Sequence, residues 1–366
     1  MTSVHDDTSN ISPLDELGYY LLAGAGGAGP ANLVREAQDG ENLGLGTAFI
    51  GERWNVKEAQ SLVGAACAVT NRMQIATAAI NHRTRHPMVV GSFATTMHRL
   101  SGGRFTLGIA RGIGAYSAFG IPPTTLATIE DWAQVMRRLW RGEVILNHGG
   151  PIGKYPVLFL DPDFDDDICL ALIALGPKTL ELGGKLFDDV ILHTFFPPAT
   201  LQRCVKTVKD AAERAGRDPA AVRVWSCFAT VGDHLPEELR LKKTVARLAT
   251  YLQAYGDLLV EVNHWDPAVL SRFRADDIVQ SIAGGIDDKG TPEQIEHIAS
   301  LIPDEWLEPA ATGSAERCAA RVRDELSYGA DAVILHGATP EELVPVVAAY
   351  RRHGDKSQPL PPVSHD

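Results

Sequence analysis

The chain has few cysteines, no dense run of lysine and arginine, and no long apolar stretch. Its five cysteines, Cys67, Cys169, Cys204, Cys227 and Cys318, are odd in number and far apart. They lie in apolar contexts such as GAACAV and DICLAL, and no C-x-x-C occurs. That argues against a disulfide framework and points to reduced core thiols in a cytoplasmic protein. Lys and Arg total 34 against 46 Asp and Glu, a formal charge of −12, so nucleic acid and anionic membrane are poor partners. No apolar run reaches the ~20 residues of a membrane helix, and the polar start MTSVHDDTSN does not read as a signal peptide. G-x-S-x-G, H-x-H and H-E-x-x-H are all missing, so serine-hydrolase and zinc-peptidase readings lack their chemistry.

What is present is ample apolar material, 45% of 366 residues, in regular alternation. Strand-like segments are ELGYYLLAG, TAFIGE, MQIATAAI, RFTLGIA, DICLALIAL, DDVILHTF, AVRVWSCFATV and ADAVILHG. Helical patterns separate nearly all of them. From Val89 to Leu100 the apolar residues fall on one helical face, and Ser101-Gly102-Gly103 closes it. A second amphipathic helix carries Ile129, Trp132, Val135, Met136, Leu139 and Trp140 up to Gly142. Thr291-Pro292-Glu293-Gln294 and Thr339-Pro340-Glu341-Glu342 read as capping boxes with proline at the first helical position. Strands joined by helices predict a parallel sheet. Eight such units fit a (β/α)8 TIM barrel with a helical insertion at about 235–311, before the last strand. They also fit two Rossmann-like halves, and periodicity does not choose. Residues 1–13 and 354–366 read as disordered tails around a single domain, 14–353.

Four motifs carry possible chemistry. Gly24, Gly26 and Gly29 have the G-x-G-x-x-G spacing between a strand and a helix, with Glu52 after the next strand. Pro30 pushes the helix start beyond the glycines, which favours a βα loop at the mouth of a site. DPDFDDD, Asp161 to Asp167, offers Asp166 where a calcium loop needs glycine and Leu172 where it needs glutamate, so it reads as a solvated turn. His82 and His86 are four apart, but Pro87 disfavours a helix across them and no third ligand is evident. No metal site is expected; His86 reads as a cap on the following helix. In ALGPKTLELGG, Gly176 and Pro177 place a helix N-terminus after a buried strand, with Lys178 and Thr179 as further donors. That is either an anion site or an ordinary βα turn.

Several segments in order resemble the luciferase-like monooxygenase family of flavin and deazaflavin oxidoreductases. They are ATAAINHRTRHP, LSGGRFTLGIARG, IEDWAQVMRRLWRGE, ALGPKTLELGGKLFDDVIL and AATGSAERCAARVRDELSYGADAVIL, spanning roughly 16–340. The resemblance implies a (β/α)8 barrel and makes the Gly24–Gly29 run a strand end. R-H-P with L-G-P-K is most similar to the branch that uses coenzyme F420; related branches use FMN.

The resemblance also implies positions. A non-prolyl cis peptide is expected at Ala78–Ala79, against the back of the cofactor ring. Gly51, Asn81 and Gly112 would line the cofactor cleft, and Leu175, Gly176, Pro177, Lys178 and Thr179 would hold its phosphate. The sugar-phosphate dehydrogenase branch has an Asp-His pair where this chain has Glu52-Arg53, and its catalytic glutamate aligns with Ile113. Its acid–base pair therefore does not carry over. Strand-end candidates for catalysis are Glu52, Arg53, Arg111 and His193. The expectation is an F420-dependent enzyme moving hydride between deazaflavin C5 and a small organic substrate, as a cytoplasmic homodimer. The alternatives are an FMN-dependent monooxygenase, a non-catalytic ligand-binding barrel, and a metal-dependent barrel hydrolase.

Overall fold

The structure, a computed structural model, describes residues 12–22, 29–53, 56–112 and 119–354. Most of both expected tails, Gly24, Gly26 and Ile113 lie outside the described residues.

Eight parallel strands form the centre: β1 (Leu14–Tyr20), β2 (Leu45–Ile50), β3 (Gln74–Thr77), β4 (Phe105–Ile109), β7 (Cys169–Ile173), β8 (Asp189–Ile191), β9 (Arg223–Gly232) and β11 (Ala332–His336). They pair in that order, and β8–β9 together with β11–β1 closes the ring. Closure decides for a TIM barrel over two open halves. Parallel strands covered on both faces read as continuous apolar runs. LGTAFI and FTLGI are such runs, and every residue of β2 and β4 is buried.

Helices α1 (Leu33–Asn42), α2 (Ala59–Val69), α3 (Pro87–Leu100), α4 (Leu126–Trp140), α5 (Pro177–Leu186), α6 (Pro198–Arg214), α14 (Ala315–Ser327) and α15 (Pro340–Gly354) follow the barrel strands. The histidine and capping expectations hold locally. His86 Nδ1 accepts from the Met88 N–H at 3.2 Å, and Thr291 and Gln294 form a reciprocal capping box. Asp166 in the acidic run pairs with Arg99 at 3.0 Å. Among the described residues no group of three or more His, Cys, Asp or Glu is placed to hold a metal ion, and no helix is long and apolar enough to cross a membrane.

Two elements escape the alternation pattern. A hairpin, β5 (Ile145–Gly150) with β6 (Gly153–Leu158), follows α4, where sequence reasoning named no element. Its exposed, Gly- and Pro-bearing strands carry little apolar signal. Three residues, β10 (Ala311–Gly313), extend the pairing at the end of β9.

The insertion is helical as expected. Helix α7 (Glu237–Leu241) runs through a π-helical turn into α8 (Arg247–Asn263), followed by α9 (Pro267–Ala275), α10 (Asp277–Ser281), α11 (Ile286–Lys289), α12 (Pro292–Ala299) and α13 (Asp304–Leu307). Phe273, Trp306 and Ile298 join a core shared with Phe195 and Leu201, so the insertion packs onto the barrel by apolar burial. Its first long helix, α8, thereby crosses the C-terminal ends of the strands.

Candidate active site

The C-terminal rim of a TIM barrel is where loops from different strands converge. Here a cavity of about 360 Å³ opens on that rim. Its size is that of an ordinary small-molecule pocket. Residues from the ends of β1, β2, β3, β4, β7, β8 and β11 line it, with Cys227 of β9 and three side chains of α8.

The floor is built from small residues. Gly51, Ala78, Ala79 and Ala110 all face the cavity, and the Ala78–Ala79 peptide is cis. Backbone bonds tie this segment to both neighbours. Ala78 N–H donates to Ile50 O at 2.8 Å and Glu52 N–H to Ala79 O at 3.3 Å. On the other side Ile80 N–H reaches Gly108 O and Ala110 N–H reaches Ile80 O, each at 3.1 Å. Thr77 Oγ1 adds a two-way link to Gly108, donating at 2.8 Å and accepting at 2.7 Å. The Ala78 and Ile80 N–H groups on either side of the cis peptide thus both have partners, as burial requires. A Cβ built on Gly51 would meet only the Ala78 carbonyl group, its oxygen at 3.2 Å.

One wall is charged. Arg53 and Lys57 pair through their backbones: Arg53 N–H donates to Lys57 O at 3.1 Å and Lys57 N–H to Arg53 O at 2.7 Å. Glu52 also lines this wall, but Arg85 grips both its oxygens, at 2.5 and 3.1 Å. Arg85 belongs to the R-H-P motif and reaches Glu58 as well, at 2.6 Å, while Glu58 caps α2. Both Glu52 oxygens are thus engaged, and the pair ties this loop to the R-H-P segment.

The opposite wall is aromatic, and its one cation, Arg247 of α8, is paired with Asp287 at 2.8 Å. His193 Nδ1 lies 3.1 Å from Thr194 O, and its Nε2 lies 2.7 Å from Tyr255 Oη. A carbonyl only accepts, so Nδ1 carries the hydrogen and the Tyr255 hydroxyl donates to Nε2. Burial pushes His193 down to about 4, so it is neutral near pH 7. Burial, with Tyr251 nearby, raises the Tyr255 hydroxyl far above its ordinary range, so it keeps its proton. Tyr251 stacks on Tyr255 with centroids 5.6 Å apart and meets His193 edge-on at 4.7 Å. His336 completes this side. Burial first, then Arg247, holds it well below its usual value, and its Nδ1 is buried without a partner.

The structure thus brings together Gly51, Glu52, Arg53, Ala78, Ala79 and His193. It does not bring Arg111 to the cavity wall: its Nε donates to the Thr124 carbonyl at 3.3 Å. Asn81 lies beneath the rim, 1% exposed, with its amide spent on Arg111 O and Thr124 Oγ1 and its carbonyl on the Arg83 N–H. Gly112, Leu175, Gly176, Pro177, Lys178 and Thr179 are likewise not in that wall. Gly176 begins α5 with no side-chain cap, and a Cβ there would meet only Leu258 of α8, at 3.8 Å. The α5 N-terminus therefore has no side-chain cap and lies outside the cavity lining. Tyr251, Tyr255, Arg247 and His336 were missed by sequence reasoning. His336 ends a recognised strand and could have been found; the α8 residues carry only ordinary helical periodicity.

Comparison with known proteins agrees with this architecture. The chain is 26% identical over 311 residues to the 5,10-methylenetetrahydromethanopterin reductase of Methanolobus tindarius, covering 82% of this chain and 89% of that one. The structure of the coenzyme F420-dependent tetrahydromethanopterin reductase from Methanopyrus kandleri superposes with TM-score 0.77 at 18% identity, covering 92% of this chain and 99% of that one. An F420-dependent secondary alcohol dehydrogenase, solved with an F420–acetone adduct, superposes with TM-score 0.69 at 17% identity, covering 93% and 100%. The sequence profile of the luciferase-like monooxygenase family matches residues 16–332, and the chain belongs to that family.

Proposed function

We propose that this chain is an oxidoreductase that uses coenzyme F420 to transfer hydride to or from a small organic substrate. The observation that carries the reading is the bare strip of Gly51, Ala78, Ala79 and Ala110 on the cavity floor. Such a strip suits a flat heterocycle, because no side chain beyond Cβ projects from it. The names of the reductase relative and of the two F420-dependent structures support the choice of cofactor. When bound, the deazaflavin would supply two-electron hydride chemistry.

The chain's own residues supply the rest. Ala78 and Ala79 would support the ring, and the start of α5 would receive the phosphate through the Gly176 and Lys178 backbone N–H groups with the Lys178 and Thr179 side chains, Pro177 setting the turn. Tyr255 and His193 can hold and pass one proton along their 2.7 Å contact, between the cavity and His193 Nε2. Tyr251 and Phe196 pack against that pair and hold its rings in place. A homodimer belongs to the same proposal and is read by size-exclusion chromatography with light scattering.

The test is a fluorescence titration of purified protein with F420 and, separately, with FMN. Saturable F420 binding, with FMN much weaker, supports the reading. Tight FMN binding with no response to F420 overturns it in favour of an FMN-dependent monooxygenase.

A further inference from the structure

The charged wall of the cavity carries two cations, Arg53 and Lys57, whose side chains are not tied to its one carboxylate, Glu52. Arg53 lies exposed at the mouth and Lys57 half-buried beside it. Both line the cavity, and among the described residues neither side chain makes an ion pair. The Lys57 ammonium donates only to the Leu21 carbonyl, at 3.4 Å. Burial first, then Arg53, makes its charge harder to keep, and the Glu36 carboxylate only partly opposes them. The two other charged groups on the wall are already balanced: Glu52 by Arg85, at 2.5 Å, and Arg247 by Asp287, at 2.8 Å. Two cations without an ion pair among the described residues therefore converge on the cavity of a chain with net charge −12. Cations gathered without structural partners, against the sign of the whole protein, are the arrangement expected where an anionic ligand completes the charge balance.

Strand order argues about which anion. In the closed ring the loop after β2 stands three strands from β7, whose following helix offers the open N-terminus, and four from β8, which carries His193. A cofactor phosphate at α5 leaves Arg53 and Lys57 unused. The cation pair instead faces the neutral Tyr255–His193 wall across the cavity.

We infer that the substrate of this site is a small organic oxyanion, a carboxylate or phosphate, whose charged end is held by Arg53 and Lys57 at the mouth while its reactive end faces Tyr255 and His193. The inference rests on the proposed hydride-transfer reading for its division into charged and reactive ends. An arginine fork matches the planar edge of a carboxylate or phosphate, and the ammonium adds a second donor.

The test measures binding to the protein without cofactor, by ligand-observed NMR and calorimetry. The probes are benzoylformate, phenyl phosphate and the uncharged ketone acetophenone. Saturable binding of an anionic probe, about ten-fold or more tighter than acetophenone, supports the inference. Which of the two anions binds tighter distinguishes carboxylate from phosphate. Arg53→Gln and Lys57→Gln should each weaken the anion by about ten-fold, Arg53→Lys should restore part of the loss, and Arg35→Gln on α1 should change nothing. Added salt should weaken the anion and spare acetophenone, which reads the same charge term without any variant. Equal binding of anion and ketone, no anion binding at all, or anion binding indifferent to both variants and to salt overturns the inference. So does loss of F420 affinity in Arg53→Gln and Lys57→Gln with anion binding intact, which would assign the cations to the cofactor. Failure of wild-type protein to bind F420 while it still binds the anion through Arg53 sinks the proposed cofactor and leaves this inference standing.

Discussion

Replacing Glu325 by glutamine should make the protein more stable in mild alkali and leave it little changed in acid. Glu325 on α14 is 3% exposed and accepts the Ser226 hydroxyl of β9 at 2.5 Å. Burial raises its carboxyl from 4.5 to about 7, only partly opposed by Ser226 and Arg321. A folded-state value above the unfolded one means that folding favours the protonated acid. That contribution is fully present below about pH 4.5 and is lost as pH rises through about 7. At about 1.4 kcal/mol per unit, the whole effect is about 3 kcal/mol. Glutamine keeps the shape and still accepts from Ser226, but does not titrate. Relative to wild type, Glu325→Gln should therefore gain about 3 kcal/mol between pH 4.5 and pH 8. The assay is urea unfolding of both proteins across that range, taking the difference at each pH. His82 and His193, each held near 4 by burial, titrate identically in both proteins and cancel. Parallel stability curves would refute the reasoning and mean that water or relaxation keeps Glu325 ionised in the folded state.

Tyr255→Phe should lower turnover by about 10²- to 10⁴-fold while leaving cofactor affinity nearly unchanged, because it removes the hydroxyl at His193 Nε2 and nothing from the floor; unchanged kcat would remove Tyr255 from proton handling. Gly51→Val should abolish cofactor binding without unfolding the protein, since its Cβ already meets Ala78 O at 3.2 Å and its methyls would stand over the floor; retained F420 quenching would show that the ring does not lie there. Gly108→Ala should be strongly destabilising, because the added carbon would come 2.0 Å from the Thr77 carbonyl oxygen, whereas Gly149→Ala on the hairpin meets nothing within 4 Å and serves as the control. Equal melting temperatures for those two variants would contradict the close β3–β4 approach.

Much of the barrel was legible because the signals are local. Continuous apolar runs such as LGTAFI mark strands covered on both faces, and Thr-Pro-Glu triplets mark helix starts whatever surrounds them. The α5 N-terminus was readable for the same reason, since Gly176 and Pro177 set it without help from the rest of the chain. The β5–β6 hairpin was not, because its exposed strands bury too little to leave a pattern.

The linear order of residues was enough to specify the alternating strands and helices, the absence of metal and disulfide motifs, and the small residues at 51, 78 and 79. Backbone geometry and side-chain volume act over a few residues, and they are written in the chain itself. Three-dimensional packing alone decided that the strands close into a ring, that α8 folds across its rim, and that Tyr255 meets His193 across 62 positions of sequence. It also decided that Glu52 is paired with Arg85 while Arg53 and Lys57, among the described residues, line the cavity without an ion pair. Whether a charged side chain is spent or available depends on what lies within about 4 Å of it, and that distance is set by contacts between segments far apart in the chain.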